Sequence, residues 1–182
     1  MPAVRPRSVL RWCDMKLLMA AALAAFFVHP VKEVRRTVPL ATDGRVYLTA
    51  SRGTVEITAW DRPAVEVYAR IEPRNILGSQ KACIEETQIR LDSWPASLRI
   101  APAWADIDTR IPRLLAALFG ACTEQPLVRY RISAPRHAEL IINDGESAIS
   151  ITGFDGTAHV TTHRGTVTVS GGRGRLDLRR IG

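Results

Sequence analysis

Three kinds of residue in this 182-residue chain could do chemistry, and their spacing decides which chemistry. His159 and His163 stand four residues apart in "TAHVTTHR", so a strand would carry both on one face, roughly 13 Å apart. One zinc ion needs donors at about 2 Å, so the two cannot share a metal. They read as solvent-facing together with Thr161, and His137 reads the same way. Asp144, Asp155 and Asp177 are the carboxylates to weigh, because glycoside hydrolysis needs a carboxyl pair about 5–10 Å apart. Asp144 and Asp155 precede glycine, where Asp bonds local backbone, and Asp177 lies between Leu176 and Leu178 on an outward face. Turn and surface positions account for all three, so no catalytic residue is assigned. Arg173, Arg175, Arg179 and Arg180 form the third group. They are candidate contacts for an anionic envelope polymer, and charges on an edge strand also block aggregation.

Other chemistry is absent from the sequence. There is no Gly-x-Ser-x-Gly elbow, His-Glu-x-x-His, Cys-x-x-Cys or phosphate-cradling glycine loop. "GGRGR" (171–175) sits between two strands and reads as a corner. No cofactor or metal is expected. Nucleic acid is not expected either, since no recognition module or interleaved aromatics accompany the basic residues.

The elements that position these residues follow from alternation. In "RVYLTA", "TVEIT" and "AVEVYARI" every second residue is apolar, and Asp43-Gly44, Arg52-Gly53 and Asp61-Arg62-Pro63 punctuate them as turns. The C-terminal third repeats the rhythm with glycines at 145, 156, 165 and 174. Its inward candidates are Ile149, Ile151, Ala158, Val160, Val167, Val169, Leu176 and Leu178. "DGRVYLTASRGTVEIT" (43–58) aligns without a gap to "DGTAHVTTHRGTVTVS" (155–170). Short strands, glycine corners and an internal repeat predict an all-β fold, a single-domain β-solenoid or roll in which each rung buries its apolar side against the next. One inserted helix is predicted near 112–119, with Pro112 in its first turn and Gly120 at its end. Its apolar face suits a cap on the β core, with docking to a membrane surface or to a partner as the alternative.

Residues 1–30 have the parts of a signal peptide. Arg5, Arg7, Arg11 and Lys16 precede the apolar run "LLMAAALAAFFV" (17–28). Twelve helical residues span about 18 Å, short of a hydrocarbon core of about 30 Å, so an export signal is expected, with an uncleaved anchor as the alternative. Met15 offers a second start. The formal net charge of +7 belongs partly to this leader and does not identify a ligand. The remaining cysteines, Cys83 and Cys122, could close a loop of about 40 residues in an oxidising compartment. Two buried free thiols are the other reading.

"RGTVEITAWDRPAVEVYARIE" (52–72), then "YRISAPRHAELIINDGESAISITGFDG" (130–156), resembles the bacterial adhesin family of DUF4097 domains. The features that carry it are the Gly-x-Val-x-Ile entry, the Trp60-Asp61-Arg62-Pro63 turn before Val65-x-Val67, and Tyr130-x-Ile132-x-x-Pro135. The likeness covers 38–182. It implies an exported, solenoid-like envelope protein without established catalytic residues. The chain departs from the pattern by stopping at Gly182 after about four C-terminal rungs, so the last rung is expected to be covered or to pair with another copy.

The sequence thus leads to an exported, non-enzymatic protein of the cell envelope, periplasmic or otherwise outside the cytoplasm. Its partner would be an envelope protein or a polysaccharide, with the membrane reached only through an uncleaved N-terminal segment. A surface adhesin binding glycans is the alternative, and a polysaccharide-active enzyme stands third.

Overall fold

The computed structural model describes residues 31–74, 81–104, 122 and 124–181. The leader expected over 1–30 and the helix expected over 112–119 lie outside them. Strands form where apolar residues alternate: β1 (Lys32–Pro39), β2 (Arg45–Trp60), β3 (Ala64–Glu72), β4 (Gln88–Trp94), β5 (Ser97–Ala103), β6 (Leu127–Pro135), β7 (Glu139–Thr152), β8 (Thr157–Thr162), β9 (Thr166–Ser170) and β10 (Arg175–Arg180). The fold is all-β, as the alternation predicts. One short helix among the described residues, α1 (Lys81–Glu86), was not expected. It buries Cys83 and Ile84, and Thr87 closes it by donating its amide and hydroxyl to the Cys83 carbonyl.

β2 and β7 are long because each continues through a bend. β2 buries Val46, Leu48 and Ala50 and then Val55 and Ile57; β7 buries Leu140, Ile142 and Asp144 and then Ser147, Ile149 and Ile151. The inward positions change from even to odd numbers in mid-strand. Strict alternation would have turned the second half outward, so the bend takes one extra step and keeps both halves facing the core. Each bent strand therefore serves two ladders. One runs β4-β5-β2-β7-β8-β10 and the other β1-β3-β6-β2-β7-β9. The pairings within β2, β5, β6, β7, β8, β9 and β10 are parallel, while β1–β3, β3–β6 and β4–β5 are antiparallel. The order runs from β1 to β10 without rejoining, so the sheet is open.

The register explains the sequence repeat. Val46 lies opposite Leu140, Leu140 opposite Ala158, and Ala158 opposite Leu176. In the second ladder Val55 meets Ile149, and Ile149 meets Val167. Contacts between neighbouring windings of the C-terminal third link residues 18 apart. The two "RGTV" phrases therefore occupy the same columns, with β7 between them. One core, with Leu40, Val65, Val67, Ile71, Leu98, Ile100, Tyr130 and Ile132 at its heart, joins both ladders. The expectation that Val169, Leu176 and Leu178 are buried is corrected: they are 45%, 41% and 49% exposed. The two leucines continue the inward columns above Ala158 and Val160, but no described strand covers their other side.

The glycine of the first "RGTV" is set by close approach of backbone. Gly53 has φ of 137°, and a Cβ there would lie 2.1 Å from the carbonyl oxygen of Val128. Gly53→Ala is expected to lower unfolding stability by on the order of 2–3 kcal/mol, read by urea titration. An unchanged midpoint would show that the corner can relax.

Candidate functional site

The polar side chains concentrate at the bends, where equivalent positions of successive windings stack. At the bend of β2 and β7, Arg52 lies opposite Glu146. Arg52 donates its Nε to Glu146 Oε2 at 2.8 Å, and its Nη2 makes a second contact with the same oxygen. From the next winding, Arg164 Nη1 reaches Glu146 Oε1 at 3.2 Å. One carboxylate is thus held between the arginines of the two "RGTV" phrases. Hydrogen bonding to Arg52 is the main reason that the Glu146 carboxyl is held below its ordinary value, against a smaller effect of burial in the opposite direction.

Asp144 sits just inside this ladder. Reading it as a surface turn residue is corrected in part: it makes the local backbone bond expected of Asp before Gly, but it is buried, 4% exposed. Its carboxylate accepts the Ser147 amide at 2.9 Å and the Thr162 hydroxyl at 2.9 Å. Thr162 Oγ1 in turn accepts the Gly165 amide at 2.9 Å. A buried carboxylate survives only when hydrogen-bonded; the Ser147 and Gly165 bonds each close their own bend, and the Thr162–Asp144 bond joins one bend to the next. The strands beside it leave a cleft of about 860 Å³ whose lining includes Ser51, Arg52, Asn143, Glu146, His163 and Arg164.

The opposite corners repeat the pattern. Arg136 binds Asp61 through Nε at 2.9 Å and donates Nη1 to the Gly153 carbonyl at 2.9 Å. That pairing holds the Asp61 carboxyl below its usual range. One winding on, Asp155 Oδ1 accepts the Arg173 amide at 2.7 Å, 18 residues further along, so it joins two corners rather than bonding its own backbone as the Asp-Gly motif suggests. On the exposed face of β1, β3, β6 and β2, Arg35 pairs with Glu66, Arg131 with Glu56, and Glu72 with both Arg70 and Arg129.

Other sequence-derived candidates stand apart from one another. Arg175 and Arg179 share one side of β10 with Asp177 between them, Arg180 points to the other and donates to the Gly165 carbonyl at 3.3 Å, and Arg173 lies in the preceding corner. The four do not converge. His159 lies on β8 and His163 beyond its end. His159 instead approaches Glu139 at 3.7 Å and Asp177 at 3.4 Å through opposite ring nitrogens. No group of three or more His, Cys, Asp or Glu among the described residues is arranged to hold a metal. Cys83 and Cys122 are bonded, with Cα atoms 4.9 Å apart.

The Arg52–Glu146–Arg164 ladder is not legible in the sequence. The repeat of "RGTV" was its visible trace, but the glutamate comes from a winding without that phrase. Nor does the sequence reveal two buried hydroxyls without a hydrogen-bond partner among the described residues, Tyr130 Oη and Ser147 Oγ; burial pushes the Tyr130 phenol upward.

No protein-family model matches this chain, and no curated protein does. Among solved structures, a "putative cell adhesion protein" from Clostridium sporogenes aligns over 84% of this chain and 100% of its own, at 6% identity and a TM-score of 0.45. A "putative lipid binding protein" and a "putative adhesin" from Parabacteroides distasonis each align over 81% of this chain at 10% identity. They are covered over 60% and 65% of their own lengths, with TM-scores of 0.29 and 0.30. Likenesses at these scores carry no functional weight.

Two tests address the bend. Asp144→Ala leaves the Ser147 amide and Thr162 hydroxyl without their acceptor and is expected to cost on the order of 2–3 kcal/mol; a loss below about 0.5 kcal/mol by denaturant titration would show that water replaces the carboxylate. Glu146 makes a pH-dependent contribution. Its folded pKa is depressed below the ordinary 4.5, so its stabilisation is present above that pH and is lost as pH falls through the folded value. Melting temperatures of the wild type and Glu146→Gln are therefore expected to differ near neutrality and to converge in acid. A constant difference from pH 7 to pH 3 would assign the effect to something other than this ion ladder.

Proposed function

We propose that the chain is an exported, non-enzymatic β-solenoid of the bacterial cell envelope, a stiff scaffold that presents its outward face to an envelope protein or polysaccharide. The observation that carries this reading is the use made of the carboxylates at the bends. Asp144, Glu146, Asp61 and Asp155 each bond a residue of another strand or winding, an arrangement that ties neighbouring strands together. The bonded Cys83–Cys122 pair supports an oxidising compartment, and the leader-like residues 1–30 supply a route to it. No helix among the described residues is long and apolar enough to cross a membrane; a membrane contact would come from the N-terminal segment if it is retained. Arg175 and Arg179 on one side of β10 are the arginines best placed to meet an anionic polymer.

A second reading, a surface adhesin for glycans, is favoured by one feature. Trp94 is 52% exposed and lines an apolar groove of about 520 Å³ with Pro39, Leu40, Pro63 and Pro95. An exposed indole of this kind offers a stacking platform for a sugar ring.

Location separates the readings. A C-terminally tagged copy is expected to resist protease on intact cells and to be digested after osmotic shock, which supports the periplasmic scaffold. Digestion on intact cells would favour the adhesin and direct glycan assays to the Trp94 groove. Protection in both conditions would place the chain in the cytosol and overturn export.

A further inference from the structure

Among the described residues, β9 and β10 each have a strand neighbour on one side only, β7 and β8 respectively. At their other edges stand the exposed Val169, Leu176 and Leu178, with Val167 half-buried beside them. Such an edge offers both an unused hydrogen-bonding ladder and an apolar strip. We propose that it forms a symmetric dimer in which β9 of one copy pairs antiparallel with β10 of a second copy, and reciprocally.

The two strands are complementary to each other in one register. Opposed residues of an antiparallel pair share a face, so setting Leu178 against the partner's Val167 sets Leu176 against the partner's Val169. Both apolar pairs then fall on the inward side. On the outward side Asp177 meets the partner's Thr168, Arg175 meets the partner's Ser170, and Arg179 meets the partner's Thr166. No like charges oppose each other, and β-branched residues oppose leucines throughout. A shift of two residues either way sets a leucine against Gly165 or Gly171 instead. Pairing β10 with itself is worse. Centred on Asp177 it opposes two aspartates and sets Arg175 on Arg179, and centred on Leu176 or Leu178 it sets a leucine on Gly174 or Arg180. Reciprocal pairing of β9 with β10 also closes the interface, so that it yields a dimer rather than a filament. The inference stands on strand edges and not on the envelope reading, so either can fail without the other.

The test uses the full chain. Copies carrying Thr168→Cys and Asp177→Cys, distinguished by tag size, are co-expressed and oxidised in clarified lysate with copper phenanthroline. Both positions are exposed, so neither change disturbs the core. Directly opposed residues lie about 4.5–5.5 Å apart, within disulfide reach. The expected product is a mixed disulfide dimer at about fivefold or more over either variant expressed alone. The unmodified chain sets the background from Cys13. Adding Leu178→Lys to the Asp177→Cys copy is expected to cut the product severalfold, because it replaces an apolar pair with a charge. Cross-linking of Asp177→Cys alone at equal yield would overturn this register in favour of β10 on itself. No product above background, or a yield indifferent to Leu178→Lys, would overturn the dimer.

Discussion

Parallel strands of successive windings lie about 4.8 Å apart, and that spacing has to be kept around the bends as well as along the flat rungs. At the bends the carbonyl of one winding faces the α-carbon of the next. A Cβ on Gly145 would lie 2.5 Å from the Ser51 oxygen, and one on Gly165 would lie 2.4 Å from that of Ser147. Glycine at these places lets the backbone close up, and the closing-up fixes the register of every rung between the bends. The buried columns Val46–Leu140–Ala158 and Val55–Ile149–Val167 are consequences of that register, as is the odd step that keeps both halves of β2 and β7 facing inward.

The same constraint dictates the polar chemistry. A side chain at a bend has a counterpart directly above and below it, so neighbours of like charge would repel across less than a Debye length. Arg52, Glu146 and Arg164 alternate in sign, and Asp144 is buried with donors from its own bend and from Thr162 of the next. Exposed ion pairs contribute little each to stability. Their effect here is on specificity: they favour one register of stacking over its neighbours. Carboxylates placed in this way serve the stacking of the bends.

The two ends of the stack differ. At one end β5 and β4 cover the first half of β2 while β6, β3 and β1 cover the second, and α1 and the Cys83–Cys122 bond lie in the connections to these strands. At the other end β9 and β10 carry apolar residues that alternate correctly for a core but remain exposed. The antiparallel strands β3, β1 and β4 lie at the first end.

Local pattern determined the strands. Alternation at 45–60, 64–72 and 139–152 marked the inward residues, because a period of two is a property of the chain itself. The "DGRVYLTASRGTVEIT" repeat announced that two segments would occupy equivalent places, and Asp before Gly announced the local bond of Asp144 to the Ser147 amide. The tertiary structure alone decided which segment lies between the two repeats, and hence that Glu146 joins two arginines drawn from distant phrases. It alone buried Asp144, left Leu176 and Leu178 exposed, and scattered four arginines that are close in sequence. The reason is the same in each case: a residue's neighbours across the ladder lie 18 or 94 positions away, and no local periodicity reports which of those positions will be opposite.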